Sequence, residues 1–351
     1  MLFGGVSAEH DVSCVSASHV LRAADPERYD LVPVGITRDG EWVLPEGAVK
    51  ALAEGPAALP ERLQVDGPTL EPLPTVLPST EDEQVVVLPL IHGPMGEDGT
   101  VQGLLELAGV PYVGSGVLGS ALGMDKVLAR TVAASAGLPQ PRWLSARDIE
   151  VDDGFADRVV DELGLPVFVK PANLGSSVGI TKAHDRAELV AALHTATSYD
   201  EWVLVEEAVT AREIEVAVLG NAAPRASVPG EIVPSHEFYD YDDKYLDGAA
   251  DLLVPSSLPD DVTDEVRRLA LVAYRSLRCD GMARVDFFYE EAEPARGLMF
   301  NEVNTIPGFT PISMYPRLWA ASGVPYAELV DELVRLAVER HDHRKDFGRP
   351  R

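Results

Sequence analysis

The sequence contains few cysteines, few basic residues and no long apolar run. Cys14 and Cys279 are its only cysteines and no CxxC pair occurs, which excludes a disulfide framework and a cysteine zinc site. The longest strongly apolar run, residues 85–91, is far shorter than the roughly 20 residues of a membrane-spanning helix. No basic region followed by a long apolar stretch is visible near the N-terminus. We therefore expect a cytoplasmic protein without a membrane partner.

Positive charge is scarce throughout the chain. The 57 acidic residues against 29 basic residues give a net charge of −28. Nucleic acids and anionic membranes are bound by clustered lysine and arginine, so this balance argues against both partners. An acidic protein that binds a nucleotide must place its few cations locally. Lys126, Lys170 and Lys244 are therefore candidates for contacts with phosphate.

A chain of 351 residues is long enough for two or three domains. In its first part, apolar strands at 31–36 and 85–90 alternate with a helical segment at 100–108. This alternation is typical of the α/β class with a doubly wound parallel sheet. Further strands and helices follow, in units of α+β type. The predicted domains are residues 1–125, 126–206 and 207–351.

Two candidate side chains follow predicted strands of the first domain. Glu9 lies in a glycine turn after the short first strand, and His92 follows the strand at 85–90. In a parallel sheet, ligands bind at the carboxyl ends of the strands, which is where both residues would lie. His92 could equally cap a helix or occupy the core.

Two short strand-like segments carry an alternating set of oxygen ligands. Asp286 lies in the segment 284–288, and Glu302 and Asn304 lie in the segment 300–304. Side chains two residues apart share one face of a strand, so adjacent strands would gather all three. Carboxylate and amide oxygens suit Mg²⁺, which completes its shell with water and phosphate. The alternative is a hairpin with solvated acids; the turn at 305–309, whose backbone amides would approach the same face, favours the metal site.

A glycine- and serine-rich loop, residues 175–179, follows a predicted strand that ends near Lys170. It is neither a P-loop nor a dinucleotide fingerprint, because it lacks the GK[ST] ending and lies between strands. Such a loop can bring backbone amides and hydroxyls close to phosphates, although many such loops have no ligand. Glu206, at the end of an apolar strand, and Glu213 could contact adenine and ribose, or could simply be solvated.

The segment 238–245, FYDYDDKY, has three tyrosines and a lysine among acids. This composition predicts a lid that closes over a site. A surface loop with aromatic anchors is the alternative.

Together these segments resemble the D-alanine:D-alanine ligase family of ATP-grasp enzymes over nearly the whole chain. The motifs that carry the resemblance are GGVSAEHDVS, HGPMGEDGTVQGLLELAGVPYVGSGVLGSALGMDK, VFVKPANLGSSVG, EFYDYDDKY, ARVDFFY and NEVNTIPGFTPISMYP. The resemblance implies a three-domain architecture in which two α+β subdomains grip ATP. It also implies ligation of two D-alanine molecules through an acyl phosphate, with two Mg²⁺ or Mn²⁺ ions, in a homodimer formed through the N-terminal domain.

The resemblance also implies a role for each candidate residue. Asp286, Glu302 and Asn304 would bind the metal ions. Lys126, Lys170, Ser177 and Lys244 would bind the phosphates, and Glu206 and Glu213 would bind adenine and ribose. Glu9 would hold the first D-alanine in a triad with Ser176 and Tyr245, near His92. Arg284 and the Gly308 N–H would form the oxyanion hole, and Ser313 would bind the carboxylate of the second D-alanine.

Tyr245 distinguishes between close relatives, because ligases that make the D-alanine:D-lactate ester carry a histidine-bearing loop instead. The tyrosine favours dipeptide formation. The competing interpretations are the D-lactate ligase, a different ATP-grasp carboxylate:amine ligase, and a catalytically silent ATP-binding module. The chain departs from the family at Glu207, where lysine is common, and in a first strand that is unusually short.

Overall fold

The computed structural model describes residues 1–80, 83–233, 251–292, 296–345 and 347, so the tyrosine-rich segment with Lys244 and Tyr245 lies outside the described residues. Helices and three separate β-sheets form the described chain. The strands are β1 (Leu2–Gly4), β2 (Val34–Ile36), β3 (Trp42–Val43), β4 (Trp143–Arg147), β5 (Val167–Pro171), β6 (Thr181–Ala183), β7 (Trp202–Glu207), β8 (Arg212–Leu219), β9 (Arg225–Val233), β10 (Asp251–Leu253), β11 (Met282–Glu290) and β12 (Gly297–Asn304). The α-helices are α1 (His10–Ala23), α2 (Glu46–Glu54), α3 (Pro72–Val76), α4 (Thr100–Ala108), α5 (Val117–Met124), α6 (Lys126–Ser135), α7 (Asp153–Leu163), α8 (Arg186–Thr197), α9 (Asp260–Ser276), α10 (Met314–Ala321) and α11 (Tyr326–Lys345).

The first sheet combines parallel and antiparallel pairs. β1 pairs with β2 in parallel, and β2 pairs with β3 in antiparallel. The turn between β2 and β3 includes Gly40, whose φ of 87° is a conformation that glycine adopts without a steric penalty. The predicted strand at 31–36 is shorter in the structure, where only its last three residues form β2.

The predicted strand at 85–90 is a buried extended segment instead of a regular strand. It forms isolated parallel bridges, from Val87 to Tyr112 and from Pro89 to Leu2, and so continues the first sheet beyond β1. Pro89 has no N–H to donate, which interrupts the hydrogen-bond ladder. The apolar run therefore predicted burial correctly but overstated the regular pairing.

The other two sheets are antiparallel. The second has the strand order β4-β7-β5-β6 and packs against α7 and α8. The third has the order β10-β9-β8-β11-β12, and α9 packs against it through a buried face that includes Val266, Leu269 and Ala273. Both sheets carry candidate site residues on their strands: Lys170 and Glu206 on β5 and β7, and Glu213, Arg284, Asp286, Glu302 and Asn304 on β8, β11 and β12.

The last helix, α11, joins the C-terminal part of the chain to the first sheet. Its buried Leu329, Leu333 and Leu336 share one hydrophobic core with Phe3 and Leu21. The predicted helix at 326–340 continues for five residues more, to Lys345. None of the helices in the described ranges combines the length and apolar character needed to cross a bilayer.

Candidate active site

Every predicted site residue in the described part of the chain lines one cleft of about 1100 Å³. The cleft lies between the first sheet, the serine loop of the second sheet and the strands of the third. The residues it brings together are Glu9, His92, Lys126, Lys170, Ser176, Ser177, Glu206, Glu213, Arg284, Asp286, Glu302, Asn304, Gly308 and Ser313.

The oxygen cluster forms on β11 and β12, as the alternation of its residues predicts. In the antiparallel register Asp286 faces Glu302, and Asn304 faces Arg284. The Asn304 side-chain amide donates to Asp286 Oδ2 at 3.0 Å. Two carboxylates and an amide oxygen on one face fit Mg²⁺, which takes one or two carboxylates and fills its remaining positions with water and phosphate. The described residues contain no group of three histidine, cysteine, aspartate or glutamate side chains that could hold a metal unaided.

Arg284 lies between two carboxylates. Its Nε and Nη2 donate to the two oxygens of Asp286 at 2.8 and 2.7 Å, and its Nε is 3.1 Å from Glu215 Oε2. Burial alone would lower the pKa of Arg284, but Asp286 and Glu215 outweigh it and raise that pKa well above its ordinary value. The guanidinium is thus a fixed positive charge beside the oxygen cluster.

Lys170 and Glu206 form a buried ion pair that Arg130 joins from α6. Both Lys170 Nζ and Arg130 Nη2 contact the Glu206 carboxylate, and Arg130 Nη2 also donates to Asn301 at 3.2 Å. Burial alone would raise the pKa of Glu206, but the two cations outweigh it and lower that pKa. Glu206 is therefore ionised at neutral pH, and it holds Lys170 at the wall of the cleft.

Glu207 points away from Glu206, as alternation along β7 requires. Arg142 donates to Glu207 Oε2 through Nε at 2.9 Å and Nη2 at 2.7 Å, and Arg296 Nη2 donates to Oε1 at 2.9 Å. The acid that stands where the family commonly has lysine is thus held by two arginines. Glu213 lies on the next strand, β8, and lines the same cleft.

The serine loop meets the first domain at Glu9. Ser176 Oγ donates to Glu9 Oε1 at 2.5 Å. Ser176 and Ser177 have φ values of 50° and 58°, in the left-handed region that non-glycine residues adopt only at an energetic cost. A Cβ added to Gly175 would lie 2.8 Å from Glu9 Oε2, so a larger residue there would displace the Glu9 carboxylate from its present position. Lys126 Nζ donates to the Leu174 carbonyl just before this loop.

His92 and the loop after it hold the turn at 305–309 through the backbone carbonyl and N–H of Ile306. The His92 Nδ1–H donates to the Ile306 carbonyl at 3.0 Å, and Glu97 accepts from the Ile306 N–H at 3.2 Å and the Gly93 N–H at 2.8 Å. Burial lowers the pKa of His92 against the opposing effect of Glu9, so the imidazole is neutral at pH 7. Burial, with a further contribution from Glu9, raises the pKa of Glu97 to about 8.

Gly308 and Ser313 face each other across the same turn. A Cβ added to Gly308 would lie 2.7 Å from Ser313 Oγ and 3.4 Å from Ser313 Cβ, so a larger residue would displace the Ser313 side chain or shift the turn. Ser313 Oγ accepts from the Thr310 N–H at 3.0 Å. Ser16 Oγ accepts from the Phe309 N–H at 3.2 Å, and the Tyr326 hydroxyl donates to the Phe309 carbonyl at 2.7 Å. The turn is thus fixed from the first helix and from the last.

Three residues of this arrangement were not predicted from the sequence: Glu97, Arg130 and Glu215. For each of them, the sequence contains a pattern that could have pointed to the site. Glu215 is two residues beyond Glu213 and so shares a face of β8 with it. Arg130 follows Lys126 by four positions on α6 and shares its face of the helix. Glu97 lies within the quoted HGPMGEDG motif.

Comparisons with known proteins agree with this geometry. The family model "D-ala D-ala ligase N-terminus" matches residues 1–115, and "D-ala D-ala ligase C-terminus" matches residues 132–335. The chain belongs to the D-alanine–D-alanine ligase family. A D-alanine–D-alanine ligase of Caldicellulosiruptor bescii is 47% identical over 99% of this chain and 96% of its own length.

Solved structures of similar proteins cover nearly the whole chain. The D-alanine–D-alanine ligase from Coxiella burnetii has a TM-score of 0.81 at 34% identity, covering 98% of this chain and 94% of its own. The VanG D-Ala:D-Ser ligase from Enterococcus faecalis has a TM-score of 0.80 at 35% identity, covering 96% and 98%. The predicted family, the α/β ATP-grasp fold class and the assignment as an enzyme are thereby confirmed.

Proposed function

We propose that this enzyme joins two D-alanine molecules into D-alanyl-D-alanine for peptidoglycan precursor synthesis, converting ATP to ADP and phosphate. The observation that carries the proposal is the convergence of acid, lysine, serine and arginine side chains on one cleft, in a chain of this family. In this proposal, residues 1–125 supply much of the D-alanine site. Residues 126–206 and 207–351 grip the nucleotide.

In the first step the carboxylate of the first D-alanine attacks the γ-phosphorus of ATP and gives an acyl phosphate and ADP. Glu9 holds the substrate ammonium, and Ser176 fixes the Glu9 carboxylate. Lys126, Lys170 and the Ser177 loop bind phosphate oxygens and, with Lys244, offset their charge. Glu206 and Glu213 bind adenine and ribose in this proposal.

The oxygen cluster fits two Mg²⁺ or Mn²⁺ ions, which Asp286, Glu302 and Asn304 would hold. When bound, such ions neutralise the charge of the transferring phosphoryl group. Arg284 stays beside this cluster and contributes a fixed positive charge of its own.

In the second step the free amine of the second D-alanine attacks the acyl carbon. The bond from that carbon to the phosphate oxygen breaks, phosphate leaves with the electron pair, and the amine loses a proton. Arg284 and the Gly308 N–H donate to the developing oxyanion, and each such donor contributes roughly 3 to 4 kcal/mol. Ser313 binds the carboxylate of the second substrate, and Tyr245 completes the triad with Glu9 and Ser176.

The tautomer of His92 leaves one ring nitrogen able to accept a hydrogen bond at the same site. Because Nδ1–H donates to the Ile306 carbonyl, Nε2 carries a lone pair, and it has no hydrogen-bond partner among the described residues. A neutral, buried imidazole nitrogen at the cleft can accept a hydrogen bond from a substrate ammonium group. We place His92 beside the first D-alanine for that reason.

Phosphate release from ATP tests the proposed function. The assay contains Mg²⁺ and D-alanine at neutral pH, with parallel arms that contain L-alanine, D-alanine plus D-lactate, and D-alanine plus D-serine. Release with D-alanine alone, with dipeptide as the product, is expected. Incorporation of D-lactate or D-serine in preference to a second D-alanine would overturn the substrate assignment, and ATP binding without release in any arm would favour a silent module.

We also propose that the enzyme is a cytoplasmic homodimer that associates through its N-terminal domain. Two exposed leucines support this: Leu107 on α4 is 90% exposed and Leu118 on α5 is 58% exposed. Burial of such side chains between subunits is favourable. Light scattering during size-exclusion chromatography gives the mass directly, and a monomer at assay concentration would contradict the proposal.

A further inference from the structure

Three carboxylates stand in one row across the strands of the third sheet. Asp286 on β11 faces Glu215 on β8 at one side and Glu302 on β12 at the other. Directly opposed like charges destabilise a sheet. Arg284 is the cation that offsets them, and it contacts two of the three, Asp286 and Glu215.

The contact with Asp286 uses the same oxygens that the proposed metal ions need. Both oxygens of Asp286 accept from Arg284, and Oδ2 also accepts from the Asn304 amide. A divalent cation at Asp286 would repel the guanidinium across a distance of a few ångströms. Arg284 must therefore give up at least part of this contact before the metal site can form.

Glu215 is the second carboxylate that Arg284 contacts, and it is not one of the proposed metal ligands. Its side chain is only 5% exposed, and its Oε2 is already 3.1 Å from Arg284 Nε. A buried carboxylate beside a partly buried guanidinium, 20% exposed at Arg284, restricts where the guanidinium can move. Arg284 would then remain at the reacting carbonyl, where the oxyanion develops.

We propose that Glu215 is a positioning residue, which holds Arg284 in the oxyanion hole while Asp286 binds the metal ions. The proposal rests on the proposed function, from which it takes the catalytic role of Arg284. It adds the residue that keeps Arg284 at the oxyanion while Asp286 binds the metal ions. Substitution of a residue with a purely structural role would lower the melting temperature but would change neither the affinity for Mn²⁺ nor the dipeptide formed per phosphate released.

The test uses Glu215→Gln, which removes the charge and keeps the shape. Glu231→Gln is the matched control, because Glu231 is a buried acid on β9 that accepts from Arg212 at 2.8 and 2.7 Å and does not line the cleft. Three quantities are measured in each protein: the affinity for Mn²⁺ with ADP present by electron paramagnetic resonance, the dipeptide formed per phosphate released, and the melting temperature.

In Glu215→Gln we expect Mn²⁺ to bind about tenfold more weakly, because Arg284 then competes for Asp286 without an alternative anion. The yield of dipeptide per phosphate should also fall, because a displaced Arg284 slows capture of the acyl phosphate and water hydrolyses it to D-alanine and phosphate. Glu231→Gln should leave both quantities at the wild-type value, even where its melting temperature falls by the same amount.

Wild-type Mn²⁺ affinity and wild-type dipeptide yield in Glu215→Gln would overturn the proposal, as would equal changes in the control. If Glu215→Gln does not fold, Glu215→Asp decides, because it keeps the charge and shortens its reach. An intermediate loss of dipeptide yield is then expected, and an unchanged yield overturns the proposal. Failure of the proposed function itself is distinguishable, since the wild-type protein would then form no dipeptide whatever its affinity for Mn²⁺.

Discussion

The Ser176 hydroxyl donates a 2.5 Å hydrogen bond to the Glu9 carboxylate across 167 positions of sequence. This bond joins the serine loop of the second sheet to the turn that precedes α1. Where the loop reaches Glu9, a Cβ added to Gly175 would lie 2.8 Å from Glu9 Oε2, and Ser176 adopts a left-handed conformation. The two halves of the proposed reaction, ATP binding and D-alanine binding, are therefore in direct contact.

The Glu9→Gln substitution tests this contact. A neutral amide cannot pair with the substrate ammonium, and loss of a charged hydrogen bond of about 1.5 to 3 kcal/mol should raise KM for D-alanine about 10- to 100-fold. KM for ATP should change little. Steady-state kinetics measures both, with Glu46→Gln at the exposed start of α2 as the control. An unchanged KM for D-alanine would exclude Glu9 from the substrate site.

The Asp286→Asn substitution tests the oxygen cluster. Asparagine keeps an acceptor for Arg284 but lacks the charge that attracts a divalent cation, so Mn²⁺ affinity with ADP present should fall by about tenfold or more. Water-proton relaxation detects bound Mn²⁺ without turnover. Asp280→Asn, on the loop before β11, is the control because Asp280 does not line the cleft. Binding equal to that of the wild-type protein would remove Asp286 from the metal site.

The sequence was sufficient to predict the pairing of β11 and β12. A strand has a side-chain period of two, so Asp286, Glu302 and Asn304 could lie together in one register and would be separated by a shift of one residue. The Glu97 carboxylate could not be placed in this way. Its partner, the Ile306 N–H, is 209 positions away, and only the packing of the first sheet against the third brings them together. Local patterns determine a face of a strand, whereas contacts between domains depend on the whole fold.

The Gly308→Ala substitution tests the oxyanion donor. The added methyl group would lie 2.7 Å from Ser313 Oγ, which accepts from the Thr310 N–H, so we expect the turn to shift and to move the Gly308 N–H from its position. Loss of one such donor lowers kcat by about 100- to 1,000-fold. Gly103→Ala on α4, where an added Cβ meets no atom within 4 Å, is the control and should keep wild-type kcat. A normal kcat in Gly308→Ala would contradict the role of this amide.

The buried Glu97 predicts a pH-dependent stability. Its pKa is raised from 4.5 to about 8 in the folded protein, so between these values the folded protein holds a proton that the unfolded chain releases. This contribution to the free energy of unfolding is fully present below pH 4.5 and is lost as the pH rises through about 8. Urea unfolding from pH 5 to 9 should show a shallower pH dependence in Glu97→Gln than in the wild-type protein. Parallel curves would show that Glu97 does not carry the proton.

The buried cluster of Arg130, Lys170 and Glu206 predicts that substitution of Arg130 lowers the free energy of unfolding. Arg130→Met removes one of the two cations that contact the buried Glu206 and leaves Lys170, and loss of a hydrogen bond to a charged group costs about 1.5 to 3 kcal/mol. Lys170 should then be drawn further toward Glu206 and away from phosphate, which raises KM for ATP.

The control is Arg147→Met, because Arg147 pairs with Glu201 at the surface, where the two side chains are 48% and 59% exposed. A solvated pair of this kind contributes less than about 1 kcal/mol. The comparison of the two variants therefore shows whether the loss of stability depends on burial of the ion pair. Urea unfolding gives both free energies, and initial rates at varied ATP give KM. Equal losses of stability in the two variants would show that Arg130 acts as an ordinary surface charge. A large loss of stability with unchanged KM for ATP would confine its role to folding, because the position of Lys170 would then not depend on it.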